Sequence, residues 1–201
     1  MVKKIVGTGV LLVLALALQA GVKMYTLKSP DGKVKLEVTA GQGIAYSLFY
    51  DGRLLLKPSR IALHTDLPEA DHWENIRITG TKQRHVSETV QAPFYRVKEF
   101  GIDCNELELR LNNGFSLLMR AYNDGMAYRF VAGRKGEMTV VEERAEFNFA
   151  DDFEAYIPYS TNPKDPWNMA FQNFYTKAPL TQYNTELPAF LPLTVDAGAV
   201  K

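Results

Sequence analysis

The stretch RAYNDGMAYRF, residues 120–130, decides the fold class of this chain. An Asp-Gly pair lies between two runs in which apolar or aromatic residues alternate with polar ones, and this pattern is typical of a β-hairpin. Asn123 and Asp124 are polar enough to belong to a site, but Asn and Asp before Gly also tolerate the backbone angles of a tight turn. We therefore predict that both residues form a turn and carry no chemistry.

The same two-residue period recurs along the chain on both sides of this hairpin. Apolar side chains alternate with polar ones at residues 34–38, 44–50, 107–111 and 115–119, and short apolar pairs follow at 140–141 and 147–149. Turn signals separate these runs at Pro30-Asp31-Gly32, Asp51-Gly52 and Asn112-Asn113-Gly114. Many short strands joined by such turns predict an all-β protein built as an antiparallel sandwich, without a helix before residue 165.

The composition is that of an ordinary folded protein with no electrostatic specialisation. The chain has 201 residues, of which 46% are hydrophobic, and its 23 basic and 23 acidic residues give a formal net charge of zero. Nucleic acids and anionic membranes normally attract clusters of Lys and Arg. We therefore expect neither nucleic acid nor, once the N-terminal segment is removed, a membrane as a partner.

The N-terminus has the form of a secretory signal peptide. Lys3 and Lys4 precede an apolar run from Ile5 to Leu18, and the small residue Ala20 follows. The run is shorter than the ~20 residues that span a bilayer. We predict a signal peptide at 1–20, a mature domain at 21–201, and export to the periplasm or the cell exterior. The single cysteine, Cys104, cannot form an intramolecular disulfide, and we expect it to be buried.

The C-terminal region differs from the rest because prolines interrupt it. We predict a long loop that contains the aromatic segment PWNMAFQNFYTKAPL at 166–180 and ends in an alternating run, at 193–196, that is typical of an incoming strand. Aromatic rings beside amides suit a sugar-binding surface, so Trp167 and Phe171 are the candidate carbohydrate-binding residues. The alternative is that these rings only pack the loop onto the sandwich.

The sequence contains no convincing catalytic constellation. His64, His72 and His85 lack metal-ligand spacing. The adjacent carboxylates Glu142-Glu143 and Asp151-Asp152 would point to opposite faces of a strand, which does not favour a catalytic pair. We therefore assign no catalytic residue.

Several segments together resemble the N-terminal domain of glycoside hydrolase family 97. They are SPDGKVKLEV at 29–38, AYSLFYDGRLLLKPSRIAL at 45–63, RAYNDGMAYRF at 120–130, YIPYS at 156–160 and FQNFYTKAPL at 171–180. The resemblance implies a super-sandwich of the galactose mutarotase kind, followed in the family by a (β/α)₈ catalytic barrel and a small β domain. Family members are exported, calcium-requiring α-glucosidases or α-galactosidases of glycan-degrading bacteria.

The resemblance implies that this chain lacks the catalytic part of the family. Such a barrel takes about 250 residues, so we expect a domain that is incomplete at its C-terminus and inactive alone. It would be a carbohydrate-binding accessory domain for an α-linked glycan, or alternatively a purely structural fragment of a truncated glycosidase gene.

The resemblance also places a calcium ligand of the family near Gln172, where this chain has an amide instead of a carboxylate. Because an amide brings no negative charge, we expect this chain alone to bind no calcium. The alternative is that Gln172 is an ordinary polar loop residue.

Overall fold

A computed structural model describes residues 23–160, 162, 164–166 and 173–198 of the chain. The predicted signal peptide at 1–20 lies outside the described residues. No helix in the described part is long and apolar enough to cross a membrane. The strands are β1 (Lys23–Lys28), β2 (Val34–Gly41), β3 (Gly43–Tyr50), β4 (Arg53–Thr65), β5 (Ile78–Gln91), β6 (Glu99–Leu111), β7 (Phe115–Tyr122), β8 (Gly125–Ala132), β9 (Val140–Ala145), β10 (Glu154–Ile157), β11 (Thr176–Pro179) and β12 (Thr194–Asp196).

The described strands form three sheets. A five-stranded sheet has the order β1-β2-β3-β4-β9, a four-stranded sheet has the order β5-β6-β7-β8, and a small third sheet has the order β11-β10-β12. Every paired strand is antiparallel to its neighbour. The predicted all-β class and antiparallel sandwich are confirmed.

The two larger sheets enclose the main core between them, as the alternating sequence dictates. On β2, Leu36 and Val38 are fully buried while Lys35 and Glu37 remain half-buried. Leu109 and Leu117, which pair across β6 and β7, belong to the same apolar cluster as these β2 residues. Successive residues of a strand face opposite sides, so each strand presents one apolar face to the other sheet.

The YNDG stretch is a turn, as predicted, and it also forms a hydrogen bond to the turn between β1 and β2. Tyr122 pairs with Gly125, which leaves Asn123 and Asp124 as the exposed loop between β7 and β8. The Asn123 Oδ1 accepts a hydrogen bond of 3.0 Å from the backbone N–H of Asp31, in the turn between β1 and β2. The side chain of Asn123 therefore links a turn of the four-stranded sheet to a turn of the five-stranded sheet.

The left-handed backbone that Asp-Gly pairs permit occurs in a different hairpin. Asp51 and Gly52, between β3 and β4, have φ values of 48° and 78°. This pair of positive values is typical of a type I′ turn. None of residues 122–125 is among the described residues with positive φ, so the β7–β8 turn forms without left-handed backbone angles.

One predicted strand is reduced in the structure, and a proline in the neighbouring strand accounts for it. Val140 and Val141 begin β9 as predicted, but the strand predicted around Phe147 and Phe149 is reduced to a single bridge between Phe149 and Leu56. Pro58 lies in the neighbouring stretch of β4 and has no backbone N–H to donate to a regular ladder there.

The region predicted as a C-terminal loop contains two short strands, so that prediction is wrong in part. β11 ends at Pro179, and β12 confirms the predicted incoming strand at 193–196; both pair with β10. The only helical element in the described residues is the 3₁₀ turn Leu180–Gln182, and Cys104 is fully buried as predicted.

Candidate functional site

The three residues predicted from the sequence as binding residues cannot be placed by the structure. Trp167, Phe171 and Gln172 all lie outside the described residues. Their roles in carbohydrate and calcium binding stay predictions.

The histidines and paired carboxylates make local contacts and do not form a reactive cluster. The Nδ1 atom of His64 lies 2.8 Å from Asp71 Oδ1, and the hydroxyl of Tyr128 donates a 3.1 Å hydrogen bond to Glu143. Across residues 23–198, as far as they are described, no group of three or more His, Cys, Asp or Glu side chains could hold a metal ion. We infer that these contacts stabilise the fold and do not form part of a reactive site.

A cleft, which we call the β4 cleft, lies between residues 147–152 on one side and residues 180–195 on the other, with Lys57 and Pro58 of β4 in its lining. Its first wall is the chain that leaves β9 and runs beside β4. The backbone N–H of Lys57 donates to the carbonyl of Asn148 at 2.7 Å, and that of Ala150 donates to the carbonyl of Leu55 at 2.9 Å. These bonds hold the wall against β4 although the ladder is irregular at Pro58.

Asn148 is the most firmly held side chain of this wall. Its Nδ2 donates to the carbonyl of Pro58 at 2.8 Å and to the carboxylate of Glu146 at 3.2 Å. Its backbone N–H donates to the Ser59 hydroxyl at 2.9 Å. Because both Nδ2 partners are acceptors, the orientation of the amide group is set by its surroundings.

The second wall comes from the third sheet and the 3₁₀ turn that follows β11. Asp152 accepts hydrogen bonds from the backbone N–H of Thr181 at 2.9 Å and from its hydroxyl at 2.8 Å. The backbone N–H of Leu180 donates a hydrogen bond to the carbonyl of Phe153 at 3.0 Å. A small apolar cluster of Leu55, Phe153 and Ala197 lies nearby and joins this sheet to β4.

The β4 cleft has a volume of about 1080 Å³ and a mixed lining of apolar and polar side chains. Phe147, Tyr183 and Leu191 supply rings and aliphatic surface, whereas Lys57 and Asp151 supply charges. Asp152 already uses both carboxylate oxygens for Thr181, so Asp151 is the one carboxyl group among the lining residues with an uncommitted oxygen. Such a lining suits binding of a neutral polar ligand better than acid–base catalysis, which in glycosidases uses two carboxyl groups.

Sequence reasoning missed these lining residues, although a signal for them was present. The run FNFADD at 147–152 joins aromatic rings to an amide and carboxylates, which is the same kind of composition that singled out 166–180. The alternation Phe-Asn-Phe favoured a strand instead. The run becomes the wall of a cleft only because the third sheet places residues 180–195 opposite it.

Comparison with known proteins identifies one family over nearly all of the described residues. The model of the family described as "Glycosyl-hydrolase 97 N-terminal" matches residues 27–201. The chain is 40% identical over 189 residues to a retaining α-galactosidase of Bacteroides thetaiotaomicron, covering 91% of this chain and 28% of that protein. It is 26% identical over 158 residues to a probable retaining α-galactosidase of Streptomyces bingchenggensis, covering 77% of this chain and 24% of that protein.

Solved structures share the fold at lower identity. A family 97 enzyme of Pseudoalteromonas sp. strain K8, in complex with panose, matches with a TM-score of 0.63 at 19% identity, over 79% of this chain and 25% of that one. A β-arabinopyranosidase matches with a TM-score of 0.65 at 22% identity, over 76% of this chain and 26% of that one. The chain therefore spans only about a quarter of the length of the proteins it resembles.

Proposed function

This chain belongs to glycoside hydrolase family 97 as its N-terminal domain, and from that premise we propose that it is an exported carbohydrate-binding accessory domain without hydrolytic activity of its own. Export rests on the signal-peptide pattern of residues 1–20. The (β/α)₈ catalytic domain of the family is the intramolecular partner that such a domain serves.

The observation that carries the binding role is the mixed lining of the β4 cleft. An exposed ring, an amide held in one orientation and uncommitted charged groups lie around one concavity on a rigid sandwich. Ligand sites are typically concave, largely apolar and fitted with a few polar groups. The relatives are named for α-galactosides, and one structure holds panose, so the ligand class we propose is an α-linked glycan.

Titration with an α-linked glycan tests this role. We expect the purified chain to bind panose or an α-galactoside saturably, because ring faces and polar groups are both available in the described structure. Calorimetry would measure the binding, and the β-linked disaccharide cellobiose, at equal concentration, serves as the control. No heat of binding with any α-linked glycan would contradict the accessory role and favour a purely structural domain.

The chain alone should not hydrolyse these glycans. We expect no release of nitrophenol from nitrophenyl α-galactoside or α-glucoside above a buffer blank, with or without calcium. The β4 cleft has one carboxyl group with an uncommitted oxygen, whereas glycosidase chemistry uses two carboxyl groups. We further propose that Gln172 gives calcium no charged ligand, so adding calcium should change neither the rate nor the heat of titration. Calcium-dependent turnover above the blank would refute this assignment.

A further inference from the structure

We propose that the β4 cleft is the glycan-binding site itself, with Phe147 as the stacking ring and Lys57, Asn148 and Asp151 as partners for sugar hydroxyl groups. This inference rests on the proposed function and names the site of that binding. It differs from the sequence-based prediction, which placed the site at Trp167 and Phe171.

The dimensions of the cleft fit a short oligosaccharide. Pockets for small ligands usually have volumes of about 300–1000 Å³, and the β4 cleft reaches about 1080 Å³. The cleft is open to solvent, and Leu191 and Leu193, which precede β12, form part of its lining. An open cleft of this size accepts part of a longer chain as well as a free oligosaccharide.

The apolar lining offers the flat surface that a sugar ring needs. The Phe147 side chain is 57% exposed although it follows a strand and lies beside the apolar bridge residue Phe149. Leu191 on the opposite wall is 86% exposed. Pyranose rings present C–H groups on their faces, and the electron-rich face of an aromatic ring is the natural contact for them.

The polar lining retains hydrogen-bonding capacity that the protein itself does not use. The Lys57 ammonium group and Asn148 Oδ1 have no hydrogen-bond or ion-pair partner in the described structure. Asp151 uses one oxygen to accept from the backbone N–H of Asp152 at 2.9 Å, and its other oxygen has no such partner there. Because Asn148 is already held by Pro58 and Glu146, its free oxygen is oriented before a ligand arrives.

This combination selects a neutral polyhydroxyl ligand over the other classes. Sugar hydroxyl groups both donate and accept, so they satisfy the Lys57 donor and the Asn148 and Asp151 acceptors together. An anionic ligand would meet the carboxylates of Asp151 and Asp152 on the same wall. An apolar peptide would cover the charged groups without pairing them, which is costly.

Two cleft variants and one control test the assignment. In Phe147→Ala the stacking surface is removed, and in Lys57→Met the ammonium donor is removed while the aliphatic stem remains. We expect each variant to bind panose or the α-galactoside about tenfold more weakly, which corresponds to about 1.4 kcal/mol. The control is Val141→Ala on β9, whose side chain is 69% exposed and does not line the cleft. Its affinity should equal that of the unmodified chain.

The outcomes separate the site from the function. If the unmodified chain binds an α-linked glycan and both cleft variants bind it equally well, the site lies elsewhere and this inference is overturned, while the proposed function stands. If the unmodified chain binds none, the proposed function fails and the site with it. Thermal unfolding of each variant checks its fold; Lys57 is exposed, so Lys57→Met keeps the test valid even if Phe147→Ala is destabilised.

Discussion

The Leu117→Ala variant is expected to unfold with a free energy about 3 kcal/mol lower than that of the unmodified chain, within the range of about 2–5 kcal/mol for such core truncations. Leu117 lies on β7, between Leu109 of β6 and Phe130 of β8, and its side chain is fully buried between the two large sheets. Truncation removes apolar contacts and leaves a cavity that a rigid sheet sandwich can close only partly. Urea denaturation followed by circular dichroism would measure the loss.

The neighbouring residue provides the matched control. Leu118 follows Leu117 directly and is only half-buried, because its side chain points to the outer face of the four-stranded sheet. Leu118→Ala should therefore cost about 1 kcal/mol or less. Equal losses in the two variants would mean that the register of β7, and with it the placement of the core, is wrong.

The second large effect concerns a buried carboxylate on that outer face. Glu106 is 5% exposed and accepts hydrogen bonds from Arg84 Nε at 2.7 Å and Arg120 Nε at 2.8 Å. Breaking a buried pair by removing one partner costs about 3–5 kcal/mol. Because the Arg84 side chain is 52% exposed and can be solvated, we expect Glu106→Gln to lower the unfolding free energy at pH 7 by about 2 kcal/mol.

The same substitution should change how stability depends on pH. Burial alone would raise the pKa of Glu106, but the hydrogen bonds and charges of Arg84 and Arg120 outweigh it and hold the pKa below its usual value of 4.5. A depressed folded-state pKa gives stability that is full above the unfolded-state pKa and is lost as the pH falls through the folded-state value. Glu106→Gln should therefore lose less stability below pH 4.5 than the unmodified chain does.

Urea denaturation at pH 7 and at about pH 3 would measure this difference, because the second value lies below the usual carboxyl pKa. Glu108→Gln is the control, since Glu108 lies two residues along the same face of β6 and has no ion-pair partner within the described residues. If Glu106→Gln and the unmodified chain lose stability in parallel as the pH falls, the carboxylate does not act through its arginine contacts.

The main sandwich could be predicted because its strands are long enough to show their period. β2, β3 and β7 each carry several apolar residues at alternate positions, and one buried face is enough to produce that pattern. Turn residues then marked most strand ends. The family resemblance rested partly on these strands and partly on the segments 156–160 and 171–180, and it is confirmed over residues 27–201.

The sequence predicted β12 from its alternating run at 193–196, but it predicted neither the rest of the third sheet nor the cleft. β11 has only four residues, which is too short for a period to stand out, and it ends in Pro179. The single bridge at Phe149 depends on the position of Pro58 in β4, which is a property of the partner strand. The β4 cleft is formed by segments that are distant in sequence. Composition alone could therefore suggest which residue types bind a sugar, but not where in the fold they come together.

The most direct test of a glycan-binding domain without hydrolytic activity is an NMR titration of the isotopically labelled chain with panose. We expect saturable shifts in the backbone signals of Phe147, Asn148 and Asp151, while the signal of Asn123, which does not line the cleft, stays constant. We also expect the sugar signals to remain those of intact panose throughout the experiment. Absence of any saturable shift at excess panose and excess α-galactoside, or the appearance of hydrolysis products, would contradict these expectations.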